Sequence, residues 1–287
     1  MGVDLQAAAA ERMAPNTPNH RRHPQAARPR ANEKRLSTGR NKAILATEGT
    51  PVGECRLNAM KRSTINTIMA EAGEMIRRHG FALPPFAYWS PEQFKARAEK
   101  ARHVIDARCG WDITDYGAGR FDEMGLFLFT LRNGLLSDLK RGGGMCYAEK
   151  LLISKQDQLS PMHTHMLKAE DIINRGGATL VVELYGSNEQ GSFAGDRGGS
   201  VWCDGIRVDY APGQKLKLAP GESVTLRPGD WHAFWGEGGD VLIGEVSTVN
   251  DDETDNIFRD PIGRFADIEE DEPPKHFLVS DYRSWLG

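Results

Sequence analysis

Four cysteines in 287 residues, Cys55, Cys109, Cys146 and Cys203, stand far apart with no short pairing. That excludes a disulfide framework or a zinc ribbon, and reads as free thiols in a reducing, cytoplasmic compartment. No stretch approaches the roughly 18–20 consecutive apolar residues of a membrane-spanning helix, so no membrane role is expected. A basic surplus is missing as well. The formal net charge is −4, and residues 1–59 alone carry +5, from ten Lys/Arg against five Asp/Glu. The rest of the chain therefore carries −9, which argues against nucleic acid as a partner. Residues 1–59 also lack apolar periodicity. An alanine run (Ala7 to Ala10) precedes a segment rich in Pro, Asn, His and Arg, and such a stretch cannot bury enough surface to offset its ordering entropy. It reads as a disordered tail or a non-native extension ahead of a working start at Met60. Its acidic residues and the absence of an apolar segment count against a targeting peptide.

Order begins at Met60. Ile65, Ile68, Met69, Ala72, Met75 and Ile76 recur at three and four, which predicts an amphipathic helix ended by Gly80. Ser90-Pro91-Glu92-Gln93 predicts a second helix, with Ser as N-cap, Pro in the first turn and Gln three residues after the cap, running to about His103 or Ile105. From Phe121 the pattern is β. Strands are expected over Gly125 to Leu131, Tyr147 to Ser154, Ala178 to Tyr185, Val201 to Tyr210, Gln214 to Leu218, Ser223 to Leu226, His232 to Trp235 and Val241 to Val246. Asn133-Gly134, Gly142 to Gly144, three Pro-Gly pairs and Gly236 to Gly239 punctuate them. Short strands with regular turn signals predict a sandwich or barrel. Asn250 to Pro274 is acidic, but Ile257, Phe258, Ile262 and Phe265 are interleaved, so it reads as a covering loop. The expected organisation is a helical portion over 60–120 packed on a β-barrel over 121–287.

One stretch carries the chemistry: Ser160-Pro161-Met162-His163-Thr164-His165-Met166-Leu167-Lys168-Ala169-Glu170. On a strand, His163 and His165 share a face. A turn over Met166 to Lys168 then brings Glu170 back beside them, and His232 in Pro228-Gly229-Asp230-Trp231-His232 is a fourth ligand-type residue. Three imidazoles and a carboxylate suit a borderline divalent ion: Mn, Fe, Co, Ni or Zn. The plain alternative, ordinary surface histidines, fits less well with a His-x-His pair followed by this Glu.

His163-x-His165-x4-Glu170-x6-Gly177 resembles the first cupin motif, and Pro220-Gly221 to His232 the second. Asp157 stands where that motif has a glycine, the second motif's proline is displaced to Pro228, and its closing Asn is Gly236. Beyond the cupin motifs, Lys168, Asp171, Trp231 and the run Glu245-Val246-Ser247-x-x-Asn250-Asp251-Asp252-x-x-Asp255-Asn256 resemble the D-lyxose ketol-isomerases over nearly all of 60–287. The resemblance implies a mainly β fold, a cupin-type jelly-roll β-barrel with an α-helical N-terminal portion. It also implies a manganese-dependent aldose–ketose isomerase, a homodimer, acting on free D-lyxose and D-xylulose, with D-mannose and D-fructose as further expected substrates.

Such a reaction needs a divalent ion to polarise the sugar carbonyl and a base to carry a proton between neighbouring carbons. Glu245, in the apolar Val241 to Val246, is the expected base, a carboxylate whose burial would raise its pKa; a buried ion pair is the alternative. Glu183 raises the same question and reads as a paired structural carboxylate. Lys150, which the resemblance places in the pocket, is expected to hold a sugar oxygen; Glu149 points the other way. Trp231 and Arg259 are expected substrate contacts. For Trp231 the alternative is core packing, and for Arg259 an ion pair with Asp260. An iron-dependent dioxygenase would use the same ligands, and a non-catalytic sugar-binding cupin would keep the metal without turnover.

Overall fold

Helix begins where the apolar repeat begins. In a computed structural model, which describes residues 59–263 and 267–286, a short strand β1 (Met60–Lys61) leads into helix α1 (Arg62–Arg78). The buried positions of α1 include Ile65, Ile68, Met69, Ala72, Met75 and Ile76, the face the spacing predicts. Its end falls at His79 and Gly80, and Gly80 adopts the left-handed conformation that stops a helix (φ 76°). The described residues belong to one unit. The expected tail over residues 1–59 lies, but for Ala59, outside the described residues.

Ser90 caps the next helix as expected. Its Oγ accepts the Gln93 N–H and Gln93 Oε1 accepts the Ser90 N–H. The helix is nevertheless broken in two, α2 (Pro91–Lys95) and α3 (Arg102–Asp106). After Phe94, which is buried against Phe277 and Tyr282, Ala101 is the one buried residue before α3 ends, so no continuous apolar face holds a long helix. A second departure is strand β2 (Gly110–Thr114), buried throughout and lying in the stretch expected to be helical. Gly110 makes it possible: its φ is 136°, and a Cβ there would lie 2.5 Å from the Tyr282 hydroxyl.

The chain continues through β3 (Leu126–Asn133), α4 (Leu136–Arg141), β4 (Tyr147–Ser154), β5 (Ser160–His165), β6 (Glu170–Ser187) and β7 (Phe193–Ala194). There follow β8 (Gly199–Cys203), β9 (Ile206–Tyr210), β10 (Gln214–Leu218), β11 (Ser223–Leu226), β12 (Trp231–Thr248), β13 (Asn256–Phe258), β14 (Ile268–Glu269) and α5 (Tyr282–Leu286). The architecture is mainly β. Twelve strands form one branched sheet in the order β2-β3-β4-β12-β6-β11-β8-β9, with β5 on β12, β13 on β5, and β7 and β10 on β6. That hydrogen-bonded path runs from β2 to β9, so among the described residues it does not close into a ring. β6 and β12 are longer than the sequence pattern suggests. They pair over most of their length, with irregular register where Gly176-Gly177 and Gly236 to Gly239 bend them. The glycines that read as a turn are a bend inside one strand.

Side-chain alternation gives the sheet two apolar faces. Phe127, Phe129, Leu151 and Ile153 pack with Trp111 and the buried face of α1. Leu126, Leu128, Leu152, Ile172, Phe234 and Ile243 point the other way and form a second core. The polar side chains that follow lie on this second face. Among the described residues Cys109, Cys146 and Cys203 are free thiols, and no helix is long and apolar enough to cross a membrane.

Candidate active site

β5 is buried along its whole length, and alternation puts His163 and His165 on one face. β12 runs antiparallel to it with His232 opposite His163. The three rings cluster, with centroids 4.1 Å apart for His163–His232, 5.3 Å for His163–His165 and 5.6 Å for His165–His232. One nitrogen from each ring lies within 4.8 Å of the other two. Local backbone fixes two of the rings. His163 Nδ1 is 2.7 Å from the Pro161 carbonyl and His232 Nδ1 is 3.0 Å from the Asp230 carbonyl. A carbonyl only accepts, so each Nδ1 carries the proton and each Nε2 presents a lone pair. Asp157, where the cupin motif has a glycine, takes the left-handed backbone itself (φ 58°), which Asp tolerates better than most residues.

Glu170 opens β6 beside this trio. Its Oε1 is 3.1 Å from His165 Nε2 and 3.2 Å from His232 Nε2, and its Oε2 is 2.6 Å from Lys168 Nζ. The contact with His232 lacks hydrogen-bond geometry, and His232 Nε2 and His165 Nδ1 are buried with no hydrogen-bond partner. Buried unpaired polar atoms are costly, and they concentrate at sites that bind something. Burial first, then the neighbouring His232 and His165, holds His163 well below the ordinary imidazole pKa. Burial and Lys168 lower His165 as well. Both rings are thus held in the neutral form that ligates metal. Burial by itself would raise Glu170, but Lys168, His165 and the hydrogen bonds outweigh it and hold the carboxyl well below its usual range. Lys168 is the converse: burial would lower it, and Glu170, Glu245 and Asp252 together push it up. Three imidazoles, that of His232 with an orphaned Nε2, beside an ionised carboxylate could hold a divalent metal ion.

A lysine–carboxylate array adjoins the trio. Glu245 and Lys150 are direct cross-strand neighbours on β12 and β4, with Nζ 3.4 Å from Glu245 Oε1. Lys168 Nζ lies 3.0 Å from the same oxygen, and Asp252 Oδ1 is 3.5 Å from Lys150 Nζ. Glu245 is therefore not the unpaired buried carboxylate the sequence suggested, but one held between two ammonium groups. His163, His165, Lys150, Lys168, Glu170 and Glu245 line one cavity, whose walls include Tyr116, Leu128, Leu152 and Phe258. His232 completes the trio without itself lining it. A larger surface cleft, between α3 and α5, contains none of these groups.

Two expected substrate contacts are not among the cavity-lining residues. Trp231 precedes His232 on β12, so alternation turns it to the opposite face. There it is buried with Met162 and Ala233, its ring 5.5 Å from Phe193 and its Nε1–H donated to Ser187 Oγ at 3.1 Å. Arg259 is exposed, donates to Asp260 Oδ2 at 2.6 Å and lies 5.5 Å from the Phe193 ring. Glu183 faces away from the cavity, opposite Lys215 on β10. Conversely, Tyr116 lines the cavity with no sign in the sequence, and so do Lys168, Asp252 and Asn256, which the resemblance includes without giving them a site role. For Lys168 a signal was present: it lies two residues before Glu170, within the same short connection.

The family model for D-lyxose isomerase matches residues 60–282. The D-lyxose/D-mannose isomerase of Serratia proteamaculans is 45% identical over 231 residues, 79% of this chain and all of that protein. The D-lyxose/D-mannose isomerase of Escherichia coli O157:H7 is 46% identical over 231 residues, again 79% of this chain and all of the relative. Among solved structures, the L-ribose isomerase of Cellulomonas parahominis with L-psicose has a TM-score of 0.50 at 17% identity, covering 74% of this chain and 99% of that one. The Geodermatophilus obscurus L-ribose isomerase also gives 0.50, at 18% identity with the same coverage. These two likenesses concern the fold. The match of the family model and the identity to whole relatives establish that the chain belongs to the D-lyxose isomerase family, a family of sugar isomerases.

Proposed function

We propose that this chain is a metal-dependent aldose–ketose isomerase that interconverts D-lyxose and D-xylulose, with D-mannose and D-fructose as a second pair. The observation that carries the reading is the buried His163–His165–His232 trio, with His232 Nε2 unpartnered, in contact with a lysine–carboxylate array. His163, His165, His232 and Glu170 would hold the ion, manganese on the family resemblance. When bound, it would supply Lewis-acid polarisation of the sugar's carbonyl and adjacent hydroxyl. Glu245 takes the proton from the carbon beside the carbonyl and returns it to the former carbonyl carbon, while the adjacent hydroxyl's proton passes to the former carbonyl oxygen, so that an enediol of the sugar separates the two. Lys150 and Lys168, both in contact with Glu245, offer N–H donors to the sugar oxygens as charge shifts between them. The apolar walls limit water at the reacting carbons. A cytoplasmic homodimer built on a cupin-type barrel with a helical N-terminal portion belongs to the same reading.

The deciding experiment is turnover of a panel of free pentoses and hexoses by chelator-stripped protein given Mn, Fe, Co, Ni or Zn in turn. Metal-restored conversion of D-lyxose to D-xylulose, lost in His163→Ala, is the expected result. A folded, metal-loaded protein that converts no sugar would overturn the isomerase reading.

A further inference from the structure

The connection between His165 and Glu170 sets the geometry of the whole cluster, because His165 precedes it, Lys168 lies within it and Glu170 follows it. Packing does not hold it: Met166 and Leu167 are 54% and 57% exposed. Hydrogen bonds do. The Asp255 carboxylate accepts three successive backbone N–H groups, Met166 to Oδ1 at 3.1 Å, Leu167 to Oδ1 at 2.7 Å and Lys168 to Oδ2 at 3.0 Å. The Asp255 carbonyl also accepts the Met166 N–H, at 3.2 Å. From the other side Thr248 accepts the Ala169 N–H on Oγ1 at 3.3 Å and donates its own N–H to the Ala169 carbonyl at 3.0 Å. Asp255 is buried, and among the described residues its one ion-pair contact is His165. Its Oδ2 lies 3.9 Å from His165 Nδ1, one of the two orphaned nitrogens. That separation is too long for a hydrogen bond, so Asp255 acts on the ring through the turn it clamps.

We propose that Asp255 is a positioning residue: by clamping the 166–168 turn, it sets where His165, Lys168 and Glu170 stand, and so the affinity of the site for a divalent ion. The inference rests on the metal-dependent reading above. Asparagine at this position keeps the shape but turns an NH2 group toward N–H groups it cannot accept from.

The test is Co(II) binding to the full chain, stripped of metal, followed by chelator competition and by the cobalt d–d absorption bands. Asp255→Asn is expected to bind Co(II) about 10–100-fold more weakly than wild type. Its bands should be shifted, a signature that a loss of fold stability alone would not produce. Unchanged affinity and unchanged bands overturn the inference while leaving the isomerase reading intact. Wild-type protein that binds neither Co(II) nor Mn(II) overturns the metal-dependent reading and this inference with it. If Asp255→Asn does not fold, amide hydrogen exchange of wild-type Met166, Leu167 and Lys168 decides the clamp. Exchange as slow as in the flanking strand is expected, and exchange at unstructured-peptide rates refutes it.

Discussion

Replacing Asp281 by asparagine should cost about 3–4 kcal/mol of stability, whereas replacing Glu270 by glutamine should cost less than about 1. Both carboxylates hold the same guanidinium. Arg62, the first residue of α1, is fully buried, and its Nη1 and Nη2 donate to Asp281 Oδ2 and Oδ1 at 2.9 and 2.8 Å. Its Nε and Nη2 donate to Glu270 at 2.9 and 2.7 Å. Burial would lower the Arg62 pKa, but the hydrogen bonds and charges of Glu270 and Asp281 raise it above its ordinary value. The environments of the two acids differ: the side chains of Glu270 and Asp281 are 47% and 6% exposed. Solvent replaces most of what Glu270 contributes, but cannot reach Asp281. An asparagine amide at 281 also meets donors in either orientation, since Oδ1 faces Nη2 while Oδ2 faces Nη1 and the Leu278 N–H at 2.8 Å. The assay is urea unfolding followed by circular dichroism, with a drop in Tm on the order of 10 °C as a second readout. Turnover below the transition should survive, because α1 packs on the face of β4 opposite Lys150. Equal costs for the two variants, or a cost under about 1 kcal/mol for Asp281→Asn, would refute the argument that burial decides the strength of this pair.

Three further outcomes are expected. A divalent ion supplied at about one hundred times its Kd should stabilise stripped protein by about 2.7 kcal/mol, and His232→Ala should abolish that gain; melts with and without chelator check it. Lys168→Met, which removes the cation 2.6 Å from Glu170 and 3.0 Å from Glu245, should lower kcat by roughly 10²–10⁴-fold, and steady-state kinetics within tenfold of wild type would count against its role. At alkaline pH the buried Cys109 thiol matters: burial pushes its pKa up to about 11, so the unfolded chain loses this proton first. Stability then falls as pH rises from about 9, by at most about 2–3 kcal/mol, and Cys109→Ala should flatten the slope between about pH 9 and 10 in unfolding titrations.

The helix ends show what local sequence can carry. Ser90 and Gln93 are three residues apart and bond to each other, so the N-terminus of α2 was legible at once. Its early end shows in burial rather than in a stop signal: after Phe94, which packs on Phe277 and Tyr282, Ala101 is the one buried residue before α3 ends. Asp204-Gly205 is an instructive miss. Both residues have positive φ, 49° and 80°, and together they turn β8 into β9, where one strand over Val201 to Tyr210 was expected. Asp-Gly between apolar runs is a strong hairpin signal, and it is wholly local. β2 had no comparable signal: five residues are too few for a period, and its burial comes from β3 and from the segment around Leu278.

Within the site, legibility follows the same boundary between local and long-range order. The His163–His165 alternation is local, and it put both rings on one face of β5 as strand geometry requires. Applied to Trp231 and His232 the same rule separates them, which is why a tryptophan next to a site histidine is core rather than a sugar platform. The contact between Glu245 and Lys150 is different, since 94 intervening residues hide it. It exists only because β12 and β4 pair with those two residues opposite, and a slip of one residue would present Val246 to Lys150 and turn Glu245 out of the cavity. That register is held by Leu242, Ile243, Leu152 and Ile153, apolar residues divided between the two cores, so the chemistry depends on packing at positions with no chemistry of their own. Lys168 and Asp252 stand within the stretches that resemble the family, but their roles depend on Glu245 and Lys150, partners that other strands supply.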